Sequence, residues 1–165
     1  MALVIEDGSG VTGANSYISV TDAKAYAAAR GLTIGTVDAA IEILLTKALD
    51  YIEALRDQFQ GVKVSSTQAL QWPRTGVQVD GYDVAEDEIP AILPQAQARL
   101  AVDAYTLDLM PVGDGRAVVM ERVEGAVQVQ YEPGGNTNAQ PSFTAAEALL
   151  DPLLRAGGAL VSVRV

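Results

Sequence analysis

The 165-residue sequence contains no cysteine and no histidine. Without cysteine the chain cannot form a disulfide or a thiolate metal site. Without histidine it lacks the commonest general base and the imidazole metal ligand. Its three lysines, Lys24, Lys47 and Lys63, stand in no recognisable Ser-Lys motif, so no nucleophile–base pair can be drawn. We therefore expect a protein that is not an enzyme and that holds no cofactor and no metal.

Aromatic and basic residues are scarce as well. Aromatic residues make up 5% of the chain, and 21 acidic residues against 11 basic ones give a net charge of −10. Such a surface repels free nucleic acid and anionic membranes. No apolar run approaches the roughly 20 residues of a membrane span, and the N-terminus lacks the pattern of a signal peptide. We expect no membrane association, and 49% hydrophobic residues suffice for one packed core.

Helical patterns dominate the first two-thirds of the chain. Ser19 begins a capping-box-like helix start, and Thr36 is placed to cap a second helix. Pro90 fits the first position of a third helix running to about Met110. The second helix has the clearest apolar face, formed by Ile41, Leu44, Leu45, Ala48, Leu49, Ile52 and Leu55. These patterns predict a helical core over about 19–110, interrupted by an irregular stretch over 62–79.

The last third of the chain predicts different elements. Alternating residues over about 117–132 indicate a β-hairpin that turns near Glu124-Gly125. A Gly- and Pro-rich linker follows over 133–142, and a C-terminal helix and tail occupy 143–165. The predicted fold class is therefore mainly α, a small helical bundle with a projecting β-hairpin and a strand-like C-terminal tail, in a single domain over 1–165.

Gly8, Gly10 and Gly13 form a G-x-G-x-x-G sequence after a short apolar run. A dinucleotide-binding loop of this kind needs a helix that opens within the glycines, so that its N-terminus meets the pyrophosphate. Here the first predicted helix begins only after Tyr17. The missing context favours a loop that uses glycine for its turns.

An acidic segment precedes the third predicted helix. Its carboxylates could bind a hard cation such as calcium, but the spacing lacks the alternating pattern of a calcium loop. Acidic residues ahead of a helix N-terminus more often lie on a solvated face and complement the helix dipole. The segment contains Asp80, Asp83, Glu86, Asp87 and Glu88.

Residues 62–79 contain basic residues and no acidic ones. One hypothesis is that Trp72 stacks on bases while Lys63 and Arg74 hold phosphates. The other is that a lone tryptophan covers the edge of the core and is held by the rigid Pro73. Because single-strand binders normally carry several stacking aromatics, the second hypothesis is favoured.

The final run, residues 159–165, is strand-like and nearly uncharged. It could pair with the hairpin of its own chain, or it could add to a β-element of a neighbouring subunit. Both alternatives stay open. The predicted subunit interface combines apolar positions of the hairpin and of the tail, namely Val127, Val129, Tyr131, Leu160, Val161, Val163 and Val165.

Several segments resemble one family of small tailed-phage proteins, and together they span nearly the whole chain. They are Met1 to Gly10, Gly13-Ala14-Asn15-Ser16-Tyr17-Ile18-Ser19, Ala69-Leu70-Gln71-Trp72-Pro73-Arg74-Thr75-Gly76-Val77, Glu88-Ile89-Pro90 and Gln128-Val129-Gln130-Tyr131-Glu132. Members of this family are often labelled DnaT-like single-stranded-DNA-binding proteins. The family also resembles phage head–tail connectors, or adaptors.

The two descriptions imply different functions, and charge favours the adaptor. The adaptor resemblance implies a virion neck protein, made in the host bacterial cytoplasm, that forms a ring beneath the portal, usually twelve-fold. Its partners would be other copies of itself, the portal protein, a stopper or tail-completion protein, and genomic DNA that passes through without specific binding. The alternative is a single-stranded-DNA-binding replication accessory protein with contacts at Lys63, Trp72 and Arg74.

Overall fold

A computed structural model of the chain describes residues 2–110, 118–123, 127–131 and 143–155, with the backbone alone described in the second and third of these ranges. The helices are α1 (Val20–Ala29), α2 (Asp38–Ala54), α3 (Ile92–Asp103) and α4 (Thr144–Leu150), and a 3₁₀ turn follows at Asp151–Leu153. The strands are β1 (Val62–Lys63), β2 (Arg74–Thr75), β3 (Gln78–Val79), β4 (Tyr82–Asp83), β5 (Val118–Val123) and β6 (Val127–Tyr131).

The starts of the first two helices differ in how they are capped. The Ser19 hydroxyl accepts a hydrogen bond of 3.1 Å from the backbone N–H of Asp22, so Ser19 caps α1 as predicted. Helix α2 begins at Asp38 with Val37 at its N-cap, and no side chain caps it. The prediction that Thr36 caps this helix is therefore wrong.

Helix α2 buries the apolar face that its sequence predicts. Its buried residues are Ile41, Leu45, Ala48, Leu49 and Ile52. They recur at three- and four-residue intervals, which places them on one side of a helix. Helix α2 packs against α3, and α3 packs against α1 and α4. The hydrophobic core formed by these four helices therefore lies on both sides of α3.

Helix α3 is shorter than predicted at both ends. It begins at Ile92 rather than Pro90, with Pro94 inside its first turn, where a proline lacks only an N–H that the helix would leave unpaired. It ends at Asp103, whereas the sequence predicted an end near Met110. The carboxylate of Asp103 binds the guanidinium of Arg99, four residues earlier, at 3.2 Å.

Residues 62–83 contain two short antiparallel hairpins that the sequence prediction missed. Strand β1 pairs with β2, and β3 pairs with β4. Asp80 and Gly81 connect β3 to β4 with φ values of 54° and 83°. An Asp-Gly pair with positive φ at both positions is typical of a tight two-residue hairpin turn.

The predicted fold class is wrong. The chain is a small mixed α/β protein and not clearly a helical bundle, because its four described helices share the chain with small antiparallel hairpins. Helical periodicity alone favoured the bundle. Glycine and proline breaks at 61, 73, 76 and 81 turn the middle segment into hairpins instead.

The chain forms two compact units. One comprises Met1–Leu109 with Phe143–Val165, and the other comprises Met110–Ser142. The second unit contains β5 and β6, which pair antiparallel with a register shift between Val118 and Met120. This hairpin was predicted correctly, whereas the linker over 133–142 lies outside the described residues. A single adaptor domain over 1–165 stays a prediction.

Candidate functional site

Trp72, the predicted base-stacking residue, lies inside the first unit. Its side chain is fully buried and packs edge-to-face on Phe59, with 5.9 Å between ring centroids. The indole Nε1 is buried and has no hydrogen-bond partner in the described part of the chain. A base cannot stack on this ring unless the core opens, so Trp72 is a core residue in this fold.

Arg74, the predicted phosphate contact, is also enclosed, with 4% of its surface exposed. Its Nε donates to the carbonyl oxygen of Gln60 at 2.7 Å, and its Nη2 donates to that of Gly61 at 3.0 Å. Burial lowers the pKa of the guanidinium from its usual value. Arg74 thus links β2 to Gln60 and Gly61, which lie between α2 and β1.

Lys63, the third residue of the predicted set, is partly buried. Its Nζ donates to the carbonyl oxygen of Gln68 at 3.1 Å. The amide of Gln68 in turn donates to the carbonyl oxygens of Leu70 and Pro73 at 3.0 and 2.9 Å. The fold therefore brings Lys63, Trp72 and Arg74 into one segment. The Lys63 and Arg74 side chains donate to the chain's own backbone carbonyls, and the Trp72 ring is buried.

A buried hydrogen-bond network holds the Trp72 segment against α2. The Tyr17 hydroxyl donates to Oε1 of Glu53 at 2.8 Å and accepts from the backbone N–H of Trp72 at 3.2 Å. The backbone N–H of Gln71 contacts both Glu53 oxygens at 3.1 Å. Burial, followed by the neighbouring Glu53 charge, raises the pKa of Tyr17 well above its usual range. The network joins two of the sequence segments that carry the family resemblance.

Gln97 forms a second buried connection, between α3 and the segment before α1. Its Oε1 accepts from the backbone N–H of Tyr17 at 2.8 Å. Its Nε2 donates to the Ser16 hydroxyl at 3.1 Å and to the carbonyl oxygen of Leu45 at 2.9 Å. Both ends of this buried amide are satisfied, as the burial of a polar group requires. Sequence reasoning missed Gln97 because a single glutamine in a helix carries no pattern.

The glycine-rich loop already holds an anionic group of its own chain. Oε1 of Glu6 accepts from the backbone N–H groups of Gly8 and Gly10 at 3.0 and 2.9 Å. Glu6 is 2% exposed, and its Oε2 is buried without a hydrogen-bond partner in the described residues. Backbone N–H groups that could cradle a phosphate therefore bind the Glu6 carboxylate. This geometry gives the dinucleotide hypothesis no support.

Gly8 also makes a close approach that excludes any side chain. A Cβ at this position would lie 2.0 Å from the carbonyl oxygen of Asp87, and φ is +106°. The glycine is therefore required for packing against the acidic segment rather than for binding a ligand. Within the described residues, no three acidic side chains are grouped so that they could hold a metal ion.

The predicted subunit interface is described only in part. Val127, Val129 and Tyr131 lie on β6, where Val127 pairs with Val123 and Tyr131 pairs with Val118. The tail positions Leu160, Val161, Val163 and Val165 lie outside the described residues. The interface therefore stays a prediction.

Large apolar side chains on the surface form a feature that the sequence prediction did not identify. Val37, Ile43 and Val62 are each at least 60% exposed, and Tyr82 is 79% exposed. Tyr105 and Leu107, after α3, are each 52% exposed. A contiguous exposed apolar patch marks a contact surface, whereas single exposed apolar side chains are ordinary on a protein surface. Separately, no helix in the described ranges has the length and apolar content to cross a bilayer.

Comparison with known proteins gives one match. The chain matches, over residues 1–165, the model of the family DnaT_2, described as "Putative DnaT-like ssDNA binding protein". No curated protein and no solved structure matches it. The family match agrees better with the single-stranded-DNA alternative than with the adaptor hypothesis. Because the match covers the whole chain, the protein belongs to the DnaT_2 family.

Proposed function

We propose that this protein is a structural subunit of a phage neck, a head–tail adaptor that forms a ring beneath the portal. It would dock on the portal and offer a new face to a stopper or tail-completion protein. It works by binding proteins and catalyses no reaction. Genomic DNA would pass the ring without a specific contact, and like charges on an acidic surface would help it to pass.

One observation carries this proposal. The residues best suited to bind a nucleic acid, Trp72 and Arg74, are buried inside the fold. Single-strand binders need a basic groove and exposed stacking aromatics. Here the net charge is −10, and the most exposed apolar side chains are scattered aliphatic and tyrosine residues. A surface of this negative charge opposes contacts with phosphates.

The family description favours a second candidate, a single-stranded-DNA-binding accessory protein. In this fold such a protein would have to use exposed aromatics rather than Trp72. Tyr82 and Tyr105 are the two such residues with more than half of their surface exposed in the described part. Acidic residues flank both tyrosines in the sequence, Asp80 and Asp83 for the first and Asp103 and Asp108 for the second. These charges oppose the approach of a phosphate backbone.

Fluorescence anisotropy with a labelled single-stranded oligonucleotide separates the two candidates. The adaptor predicts negligible binding at about 150 mM salt, since an acidic surface gains no counterion release from phosphates. The double variant Tyr82→Ala, Tyr105→Ala is the matched control because both positions are exposed. Binding by the unaltered chain that this double variant loses would replace the adaptor proposal with the DNA-binding one.

The C-terminal run offers a separate test of assembly. We propose that residues 159–165 add as a strand to a neighbouring subunit or to the portal. Deleting them should leave a folded chain that no longer joins portal-attached rings. Loss of folding in the truncated chain, or full ring assembly by it, would contradict this role for the tail.

A further inference from the structure

A small cavity lies between α1, the loop before α2 and the residues after α3. We call it the Gly35 pocket, and its volume is about 340 Å³. It is lined by Lys24, Ala27, Ala28, Leu32, Thr33, Ile34, Gly35, Thr36 and Tyr105. Gly35 has a φ of +94°, and a Cβ on it would lie 3.4 Å from Cε2 of Tyr105. The Tyr105 ring lies against Gly35 as one wall of the pocket, and the positive φ of Gly35 favours glycine at this position.

The chemistry of the Gly35 pocket suits an amphipathic side chain. Most of its lining is aliphatic or threonine, and its one charged lining residue is Lys24. The Lys24 ammonium pairs with Asp38, which is 69% exposed, and an ammonium has three donors, so it can bind a second carboxylate. The volume is at the low end of the roughly 300–1,000 Å³ of small-molecule sites. A single large side chain therefore fits it better than a cofactor does.

A complementary projection exists elsewhere in the same chain. The Tyr82 hairpin, defined as Gln78–Asp83, turns at Asp80-Gly81 and carries Tyr82 just after the turn. Tyr82 is 79% exposed, the largest value among the exposed large hydrophobic side chains of the described residues. Tyrosine buries a large area at a low cost in conformational entropy, and it is enriched among the residues that dominate interface energies.

We propose that the Tyr82 hairpin of one copy docks in the Gly35 pocket of a second copy. Three features argue for this occupant. A tyrosine side chain suits the size of the cavity, its ring can pack on the edge of Tyr105, and Asp80 or Asp83 can approach Lys24. The inference rests on the proposed ring, because it supplies the contact between subunits that a ring requires.

This contact joins two different surfaces, so it is head-to-tail. Such a contact leaves a free hairpin at one end of a pair and a free pocket at the other. Repetition then closes into a ring when the rotation permits. A symmetric dimer would instead pair identical surfaces and stop at two copies.

The test uses two variants that each remove one side of the contact. Tyr82→Ala removes the projection, and Ala28→Trp fills the pocket from an exposed position of α1. By sedimentation velocity the unaltered chain should associate with increasing concentration, and each variant alone should stay monomeric. An equimolar mixture of the two should form dimers and nothing larger, since each retains the surface that the other has lost. Ile43→Ala and Ala54→Trp, at other exposed sites on α2, should associate like the unaltered chain.

Disulfide trapping checks the same contact when association is weak. The chain has no cysteine, so Asp83→Cys mixed with Ala28→Cys, both of which keep Tyr82, should give a crosslinked heterodimer under mild oxidation. Asp83→Cys mixed with Ala54→Cys should give far less. Equal crosslinking in both mixtures, or self-association that survives Tyr82→Ala, would overturn the proposal. Neither result depends on DNA or portal binding, so failure here is distinguishable from failure of the adaptor function.

Discussion

The Tyr17 hydroxyl donates a hydrogen bond of 2.8 Å to the Glu53 carboxylate, and this bond joins the segment before α1 to the last turn of α2. The same hydroxyl accepts from the backbone N–H of Trp72, so three parts of the chain meet at one phenol. Tyr17 belongs to one segment of the family resemblance and Trp72 to another. Their shared contact gives both segments a structural role.

Tyr17→Phe should lower the free energy of unfolding by about 1–3 kcal/mol, because the Trp72 N–H is then left buried without an acceptor. Urea denaturation followed by Trp72 fluorescence measures the change. Tyr105→Phe, at a half-exposed ring, is the matched control and should be nearly neutral. Equal stability of Tyr17→Phe and the unaltered chain would contradict the role assigned to the network.

The pH dependence of stability should depend on Glu53. Burial raises the pKa of its carboxyl above the usual 4.5, against opposing hydrogen bonds from Tyr17 and Gln71. The folded state therefore binds this proton more tightly than the unfolded state does. The Glu53 contribution to stability is largest below pH 4.5 and declines as the pH rises through the higher folded value.

Comparison with Glu53→Gln isolates this contribution, since glutamine does not titrate. The stability of the unaltered chain relative to Glu53→Gln should increase as the pH is lowered from 7 towards 4.5. Denaturation curves of both proteins across that range provide the measurement. A difference that stays constant, or that shrinks on acidification, would show that the pKa of Glu53 is not raised in the folded chain.

The Glu6 loop predicts losses of stability of different size for two substitutions. Glu6→Ala should cost about 1–3 kcal/mol for each of the Gly8 and Gly10 N–H groups that remains away from water. Glu6→Gln should cost much less, because its side-chain carbonyl oxygen can still accept both hydrogen bonds. Thermal unfolding of both variants checks the order. Equal destabilisation by Glu6→Gln and Glu6→Ala would show that the hydrogen bonds accepted by Oε1 are not what Glu6 contributes to stability.

Sequence reasoning identified the elements whose periodicity is local. It found α2 and its buried face, the Ser19 cap and the β5–β6 hairpin. It missed the hairpins over 62–83 because glycine and proline breaks were taken as irregular structure, although Asp80-Gly81 is a hairpin signal in itself. It also extended α3 to Met110, although the helix ends at Asp103.

The candidate site was predictable only as a pair of alternatives. A tryptophan next to a proline and an arginine is compatible with a surface on which bases stack and with a buried core residue. Only the three-dimensional contacts of Trp72 with Phe59 and of Arg74 with the Gln60 and Gly61 carbonyls distinguish them. The Gly35 pocket depends on long-range packing that no local pattern encodes, whereas the Glu6 contacts with Gly8 and Gly10 lie within four residues of one another in the sequence.

Trp72→Ala separates a core role from a DNA-binding role. Loss of this buried ring should cost roughly 3–5 kcal/mol of stability, as large-to-small core substitutions do. Any residual affinity for an oligonucleotide should be unchanged in the variant that remains folded at low temperature. Denaturation and anisotropy on the same samples provide both values. A stable Trp72→Ala chain that loses DNA binding would assign the residue to recognition instead.

The adaptor proposal is tested most directly by negative-stain electron microscopy of the cognate portal, alone and after addition of this protein. If the protein is an adaptor, a second ring, coaxial with the portal and attached to one of its faces, should appear only when the protein is present. Portal particles that look the same with and without the protein, under conditions in which the protein is folded, would contradict the account.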